Sequence, residues 1–213
     1  MSELKTEEEQ IEAFKTWWKK NGTALILAVA VGVGGYFGFQ TWKQNEAAHI
    51  SEASSMYQTL VEAAADLDTE KNQKDVAALA AQLSEEYGDT GYAMFAELFV
   101  AELEVNKGNY DKAISALERA ITGTEDKSFQ AVAVIRVARL LAEKEDYDSA
   151  LSKLDMVSDN AFSVQKNELK GDIYLRQGKR DEARTAYEQA KQALEVGQNH
   201  PLLDIKLGDL AKS

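Results

Sequence analysis

Hydrophobic and polar positions follow two regimes along this chain. From Thr23 to Trp42 no charged residue occurs, and Ala24 to Phe39 is built of Leu, Ile, Val, Ala, Gly and aromatic residues. From Glu46 onward, apolar residues recur every three or four positions among charged ones. The first regime predicts a membrane-spanning helix, because twenty residues at 1.5 Å rise reach about 30 Å, the hydrocarbon thickness of a bilayer. Lys19 and Lys20 bracket it on one side and Lys43 on the other, and Trp17, Trp18 and Trp42 stand at its ends, where amphipathic indoles favour the headgroup boundary. The second regime predicts amphipathic helices, and nothing in it alternates with the two-residue period of a strand.

Before the span, residues 1–22 predict a short amphipathic helix near the membrane surface. Thr6 and Glu9 fit a capping box, and Ile11, Phe14 and Trp17 or Trp18 recur on one face. Asn21 and Gly22 are expected to end that helix before the span begins. Beyond the span, Ala47–Asp66 is expected as one helix with Ile50, Ser54, Tyr57, Leu60, Val61 and Ala64 near one face. A polar break over Leu67–Gln73 follows, then a helix over Lys74–Tyr87 ended by Gly88.

An internal repeat emerges when the alanines are aligned. Gly108, Asn109, Tyr110, Asp111, Lys112, Ala113 and Ile114 recur as Glu145 to Leu151 and again as Gly178 to Arg184, with alanine spacings of 37 and 33. Four places after each alanine stands a large residue, Leu117, Leu154 or Tyr187, and seven places after it a compact one, Ala120, Val157 or Ala190. Twelve places before each alanine is a small residue: Ala101, Ala138 or Gly171. This is the tetratricopeptide pattern, in which small residues let paired helices cross closely and the large one fills the space between them. The third copy fits best. The first has Glu104 where the third has Tyr174, so its front helix is expected to turn differently, and no copy ends in the usual proline. Ala77, 36 places before Ala113, would mark a degenerate leading unit.

The predicted fold is therefore all-α: an amino-terminal segment (1–22), one transmembrane helix (23–42) and a tetratricopeptide-like superhelix (43–213). Its helix pairs are expected at about 47–87, 91–122, 128–158 and 163–196. Gly197 should stop the last full helix, and a closing helix over 201–210 should cover the exposed end with Leu202, Leu203, Ile205 and Leu207.

Charge and chemistry narrow the function. The net charge is −12, and residues 1–43 carry five Lys against five Glu, so the whole excess lies beyond the span. A basic face for phosphate is lacking, which argues against nucleic acid. Lys5, Lys15, Lys19 and Lys20 precede the span and only Lys43 closely follows it, which predicts a cytoplasmic amino terminus and a repeat domain on the far side. A cleaved signal peptide is disfavoured by the long acidic leader and by the absence of a small-x-small site after Phe39. Without cysteine there are no disulfides, thiolate metal sites or thiol nucleophiles. His49 and His200 are isolated in sequence, and His200 is expected to start the closing helix rather than to catalyse.

Two other patterns mislead. Gly32, Gly34 and Gly38 mimic a dinucleotide loop but lack the strand–turn–helix setting. Asp66, Asp68 and Glu70 resemble a calcium loop without its glycine or closing glutamate. No cofactor, metal or catalytic residue is assigned. Ala30, Gly34 and Gly38 instead form a flat strip suited to close packing of another membrane helix, or reflect only how common glycine is in such helices.

Binding is the more credible activity. Stacked hairpins curve so that the first helix of each lines the inner surface. In the repeat register that surface includes Phe95, Leu98 and Glu102, then Ile135 and Arg139, then Asp172 and Leu175, a mixture suited to an extended peptide, although any one of them can equally pack against a neighbouring helix. Arg176, Lys179, Arg180 and Arg184 form a basic cluster that would seat an acidic partner or balance local charge.

The run Gln10, Ile11, Glu12, Ala13, with Trp17, Trp18, Asn21 and Gly22, the Gly32, Val33, Gly34 stretch and the repeats beyond resemble the YfgM family, the ancillary subunits of the bacterial SecYEG translocon. The resemblance covers nearly the whole chain, and its amino-terminal and membrane motifs are more specific than the repeats. It implies a single-pass protein of the bacterial inner membrane with a periplasmic repeat domain. It also implies association with SecYEG and the membrane-anchored chaperone PpiD, hand-over of exported polypeptides, and no catalytic motif. The competing expectation is a scaffold of the same architecture that assembles other cell-envelope complexes.

Overall fold

The computed structural model describes residues 6–195 and 198–211. All regular structure among them is helical. Helices α1 to α9 run Glu7–Ala64, Glu70–Glu86, Gly91–Asn106, Tyr110–Thr122, Lys127–Glu143, Tyr147–Asp155, Ser163–Arg176, Arg180–Gln192 and Pro201–Ala211, with a short 3-10 turn at Asn160–Phe162 before α7. The chain divides into two compact units, one up to Ser51 and one from Glu52 onward.

The first unit is helical throughout its described length after Thr6, which corrects the break expected at Asn21 and Gly22. Asn21 satisfies itself within the helix, its Nδ2 donating to the Trp17 carbonyl at 3.0 Å. Gly22 is used for its missing side chain: a Cβ there would lie 3.1 Å from the Trp18 indole, which covers that point of the backbone. With no proline to remove a donor, the ladder runs on. The capping glutamate is in place, the Thr6 N–H donating to Glu9 Oε2 at 3.3 Å. The apolar window of α1 has mean hydropathy 1.8 and is long enough to cross a membrane. Val31 is 75% exposed and Ile26, Leu27, Tyr36 and Phe37 are exposed as well, so apolar groups face outward on every side, as lipid rather than water requires.

In the second unit, α3/α4, α5/α6 and α7/α8 form successive hairpins, preceded by α2 packed on α3 and followed by α9 on α8. Each hairpin turns the same way. Gly108, Glu145 and Gly178 have φ of 73°, 64° and 76°. The N–H of the next residue then reaches back to the carbonyl five places earlier, Asn109 to Glu104 at 2.8 Å, Asp146 to Leu141 at 2.9 Å and Lys179 to Tyr174 at 2.9 Å. This is the left-handed helix stop that glycine adopts without strain. It also corrects the different turn expected at Glu104, because the backbone carbonyl at that position accepts the same hydrogen bond as in the other hairpins, and the Glu104 carboxylate adds one from Asn109 Nδ2 at 2.9 Å.

The core is a chain of clusters linking neighbouring hairpins. Ala101, Ala113 and Leu117 pack with Val137 and Leu140 of the next hairpin, and Ala138, Ala150 and Leu154 pack with Leu169 and Ile173 of the one after. In the leading unit Val76, Ala80 and Leu83 are buried while Ala77 is exposed, so the repeat register does not extend there. Helix α2 begins at Glu70, earlier than the Lys74 expected, because the Thr69 side chain accepts the Asn72 N–H at 3.3 Å and caps it. Asp66 only turns the chain, accepting the Asp68 N–H at 3.2 Å. The stop expected at Gly197 lies outside the described residues. In α9 the buried face is Leu203 and Leu210 with Leu207 half-buried, while Leu202 and Ile205 remain exposed, since only the 203/207/210 spacing returns to one side of a helix.

Candidate functional site

A concavity of the second unit lies between α3 and α5. On α5, the Asp126 side chain caps the start by accepting the N–H groups of Ser128 and Phe129, and this fixes the face carrying Phe129, Val132, Arg136 and Arg139. On α3, Phe95, Phe99, Glu102 and Val105 return at intervals of three and four. Between these faces is an open groove of about 580 Å³. Tyr57, Phe95, Leu98 and Phe99 supply aromatic and aliphatic surface, and Glu102 of α3 and Arg136 and Arg139 of α5 bring charge to it.

The aromatic side is ordered by ring contacts. Tyr57 lies 6.2 Å from Phe95, 6.0 Å from Phe99 and 5.5 Å from Tyr92, and Phe95 meets Phe129 edge-on at 5.6 Å. Burial raises the Tyr57 phenol above its usual pKa, so it stays a neutral donor. Phe95 is nevertheless 40% exposed, a large apolar side chain held in place and open to a ligand.

Four of the expected surface residues, Phe95, Leu98, Glu102 and Arg139, therefore line one groove. The other three do not. Ile135 is 6% exposed and packs with Ala131, Ala138 and Leu169, because it points from α5 toward the neighbouring hairpin. Leu175 is exposed on α7 but does not line the groove. Asp172 is engaged within the fold: it accepts from the Tyr187 hydroxyl at 2.7 Å and from Lys206 Nζ at 2.7 and 2.9 Å. Sequence reasoning missed Tyr57, Phe99 and Arg136. Arg136 was accessible from the Phe129, Val132, Arg136, Arg139 stripe, whereas Tyr57 arrives from α1 by packing that no local pattern announces.

The cluster around Asp172 fastens α9. Lys206 also donates to Glu168 at 2.8 Å, and His200 Nε2 stands 3.3 Å from Glu168 while its Nδ1 accepts the Leu203 N–H at 3.2 Å, capping the helix that Pro201 begins. Burial works against the Lys206 ammonium, but its hydrogen bonds to Asp172 and Glu168 outweigh that and raise its pKa. Burial, then the Asp172 hydrogen bond, pushes the Tyr187 phenol well up. Three of the four residues of the expected basic cluster are likewise engaged: Arg176 pairs with Glu143 at 2.7 Å, and Arg180 and Arg184 donate to the Asp209 and Leu210 carbonyls near the end of α9, while Lys179 is exposed. Among the described residues no three His, Cys, Asp or Glu side chains are placed to hold a metal ion. In the apolar segment, a Cβ on Gly34 or Gly38 would meet nothing within 4 Å, and with Ala30 these positions share one exposed helix face.

Comparison with known proteins fits this arrangement. A family model described as a tetratricopeptide repeat-like domain matches residues 15–212, the apolar segment included. A Haemophilus influenzae protein named ancillary SecYEG translocon subunit is 32% identical over 187 residues, 88% of this chain and 89% of the relative. The chain belongs to the YfgM family. Other relatives bearing the same name come from Neisseria gonorrhoeae, 30% identical over 96% of this chain and 97% of the relative, and from Escherichia coli, 28% identical over 88% of each. Membership of the YfgM family extends over anchor and repeats alike.

Proposed function

We propose that this chain is a membrane-anchored adaptor at the protein export channel of a bacterial inner membrane. Its amino terminus lies in the cytoplasm and its repeat domain in the periplasm, and it binds partner proteins or emerging polypeptides. The groove between α3 and α5 carries the reading: it is an open, aromatic, partly charged surface on a helical domain in which Arg176 and Asp172 are engaged in ion pairs of the fold itself. The names of the relatives support SecYEG as the channel, and the lysine distribution supports the orientation. PpiD is a further partner in this reading, and the Ala30, Gly34, Gly38 face is where a second membrane helix packs.

Purification from membranes in mild detergent, with identification of the proteins retained, tests the assignment. Channel subunits should copurify. Retention of cell-wall or respiratory assembly enzymes without channel subunits would favour the scaffold reading instead. Protease shaving of spheroplasts should remove the repeat domain, and protection of that domain would overturn the orientation.

A further inference from the structure

We propose that the α3–α5 groove selects extended peptide segments in which an Asp or Glu side chain lies next to large apolar residues, with Arg136 and Arg139 taking the carboxylate. This inference rests on the adaptor reading and specifies its ligand.

The charge distribution motivates it. The chain has 36 acidic residues against 24 basic ones, so an arginine here is seldom far from an acid, and four of the six arginines are engaged inside the fold. Arg136 and Arg139 are the exceptions. Both are exposed, both line the groove, and neither makes a side-chain hydrogen bond or ion pair among the described residues. They stand one helical turn apart on a single face of α5, so their guanidinium groups can converge on one carboxylate, an acceptor that arginine matches with two parallel donors.

The aromatic side sets the other half of the specificity. Phe95 to Val105 spans ten helical steps of α3, about 15 Å, which is the reach of four or five residues of extended chain. A peptide lying there places alternate side chains against Phe95, Leu98 and Phe99, and turns its acid toward α5. Glu102 on the opposite wall repels an acid placed the other way, which fixes the direction in which the carboxylate faces. The domain as a whole is acidic, so a generally acidic polypeptide is repelled from its surface and gains only at this point.

The experiment uses the full-length protein in mild detergent and three synthetic, end-capped peptides, alike except that one central position beside Phe and Leu is Asp, Asn or Lys. Binding is followed by fluorescence anisotropy at low salt. The Asp peptide should bind about tenfold or more tighter than the Asn peptide, the value of one charge-assisted contact, and tighter still than the Lys peptide. The double variant Arg136→Gln/Arg139→Gln should erase that preference while keeping the weaker Asn-peptide binding, and Phe95→Ala should weaken all three. The arginines are exposed, and an unchanged helical spectrum in the double variant checks its fold. Equal affinity for the Asp and Lys peptides would overturn the acid selectivity and leave the adaptor reading standing. No binding of any peptide would count against both. Tighter binding of an uncapped peptide without Asp than of the capped Asp peptide would assign the arginines to a chain terminus and overturn the side-chain proposal.

Discussion

Gly171 faces the largest side chain in the repeat core, and replacing it with alanine tests how the third hairpin is built. An added Cβ would lie 2.3 Å from Tyr187 Cε1 and 2.4 Å from its Cδ1, more than 1 Å inside ordinary contact. The ring cannot swing away, because Tyr187 is fully buried and its hydroxyl is held by Asp172, the residue next to Gly171. Two effects oppose each other. Alanine in place of a helical glycine gains about 1 kcal/mol, whereas overpacking a fixed core costs about 1–3 kcal/mol. At this overlap the upper half of that range applies, so Gly171→Ala should lose about 1–2 kcal/mol net and lower the thermal midpoint of the full-length protein in detergent by about 2–6 °C, followed by far-UV circular dichroism.

The corresponding positions of the other hairpins hold Ala101 with Leu117 and Ala138 with Leu154. Tyr187→Leu alone opens a cavity and removes the hydroxyl's hydrogen bond to Asp172, which keeps Lys206, a loss of about 2–4 kcal/mol. Combined with Gly171→Ala it recreates the pairing of the other two hairpins, so the double variant should be more stable than Tyr187→Leu. A Gly171→Ala protein as stable as the parent, or strictly additive losses in the pair, would refute the reasoning.

Glu145 occupies a left-handed position that its two counterparts fill with glycine, so Glu145→Gly should stabilise by about 0.5–1 kcal/mol, read as a higher thermal midpoint. Glu97 is 8% exposed and receives two hydrogen bonds of 2.8 Å from Arg119. Because Arg119 is itself more than half exposed and solvent-screened, Arg119→Ala should cost only about 1–2 kcal/mol, with Glu97→Gln in the same protein recovering part of it in a urea titration. Tyr187 and Lys206 have raised pKa values in the folded state, so their contribution is complete below the unfolded values of 10.0 and 10.5 and is lost as pH climbs through the folded ones. The urea midpoint should hold to about pH 9 and fall above pH 10, and Tyr187→Phe should flatten that fall.

The repeat register was legible because it rests on size alternation at fixed spacing, and Ala113, Leu117 and Ala120 are buried as that spacing requires. Its limit appears at Ala77, where α2 packs through Val76, Ala80 and Leu83, a face selected by the tertiary partner α3. The helix through Asn21 and Gly22 was hidden because both residues tolerate a stop, while the Trp18 ring that makes Gly22 useful within a helix shows only in three dimensions. Phe95, Leu98, Glu102 and Arg139 of the groove were readable from the repeat. Asp172 was misplaced for a physical reason: α9 brings Lys206 to it, and the periodicity of α7 contains no trace of that contact.

The central claim is that the groove between α3 and α5 meets export-channel subunits or their cargo across the membrane. A photoreactive amino acid placed at Phe95 in the full-length protein in living cells tests this most directly, with Lys112 on the exposed face of α4 as control. Light-dependent adducts with SecYEG subunits or exported chains should form from Phe95, and few from Lys112. Adducts at neither position, or only with cytoplasmic proteins, would contradict it.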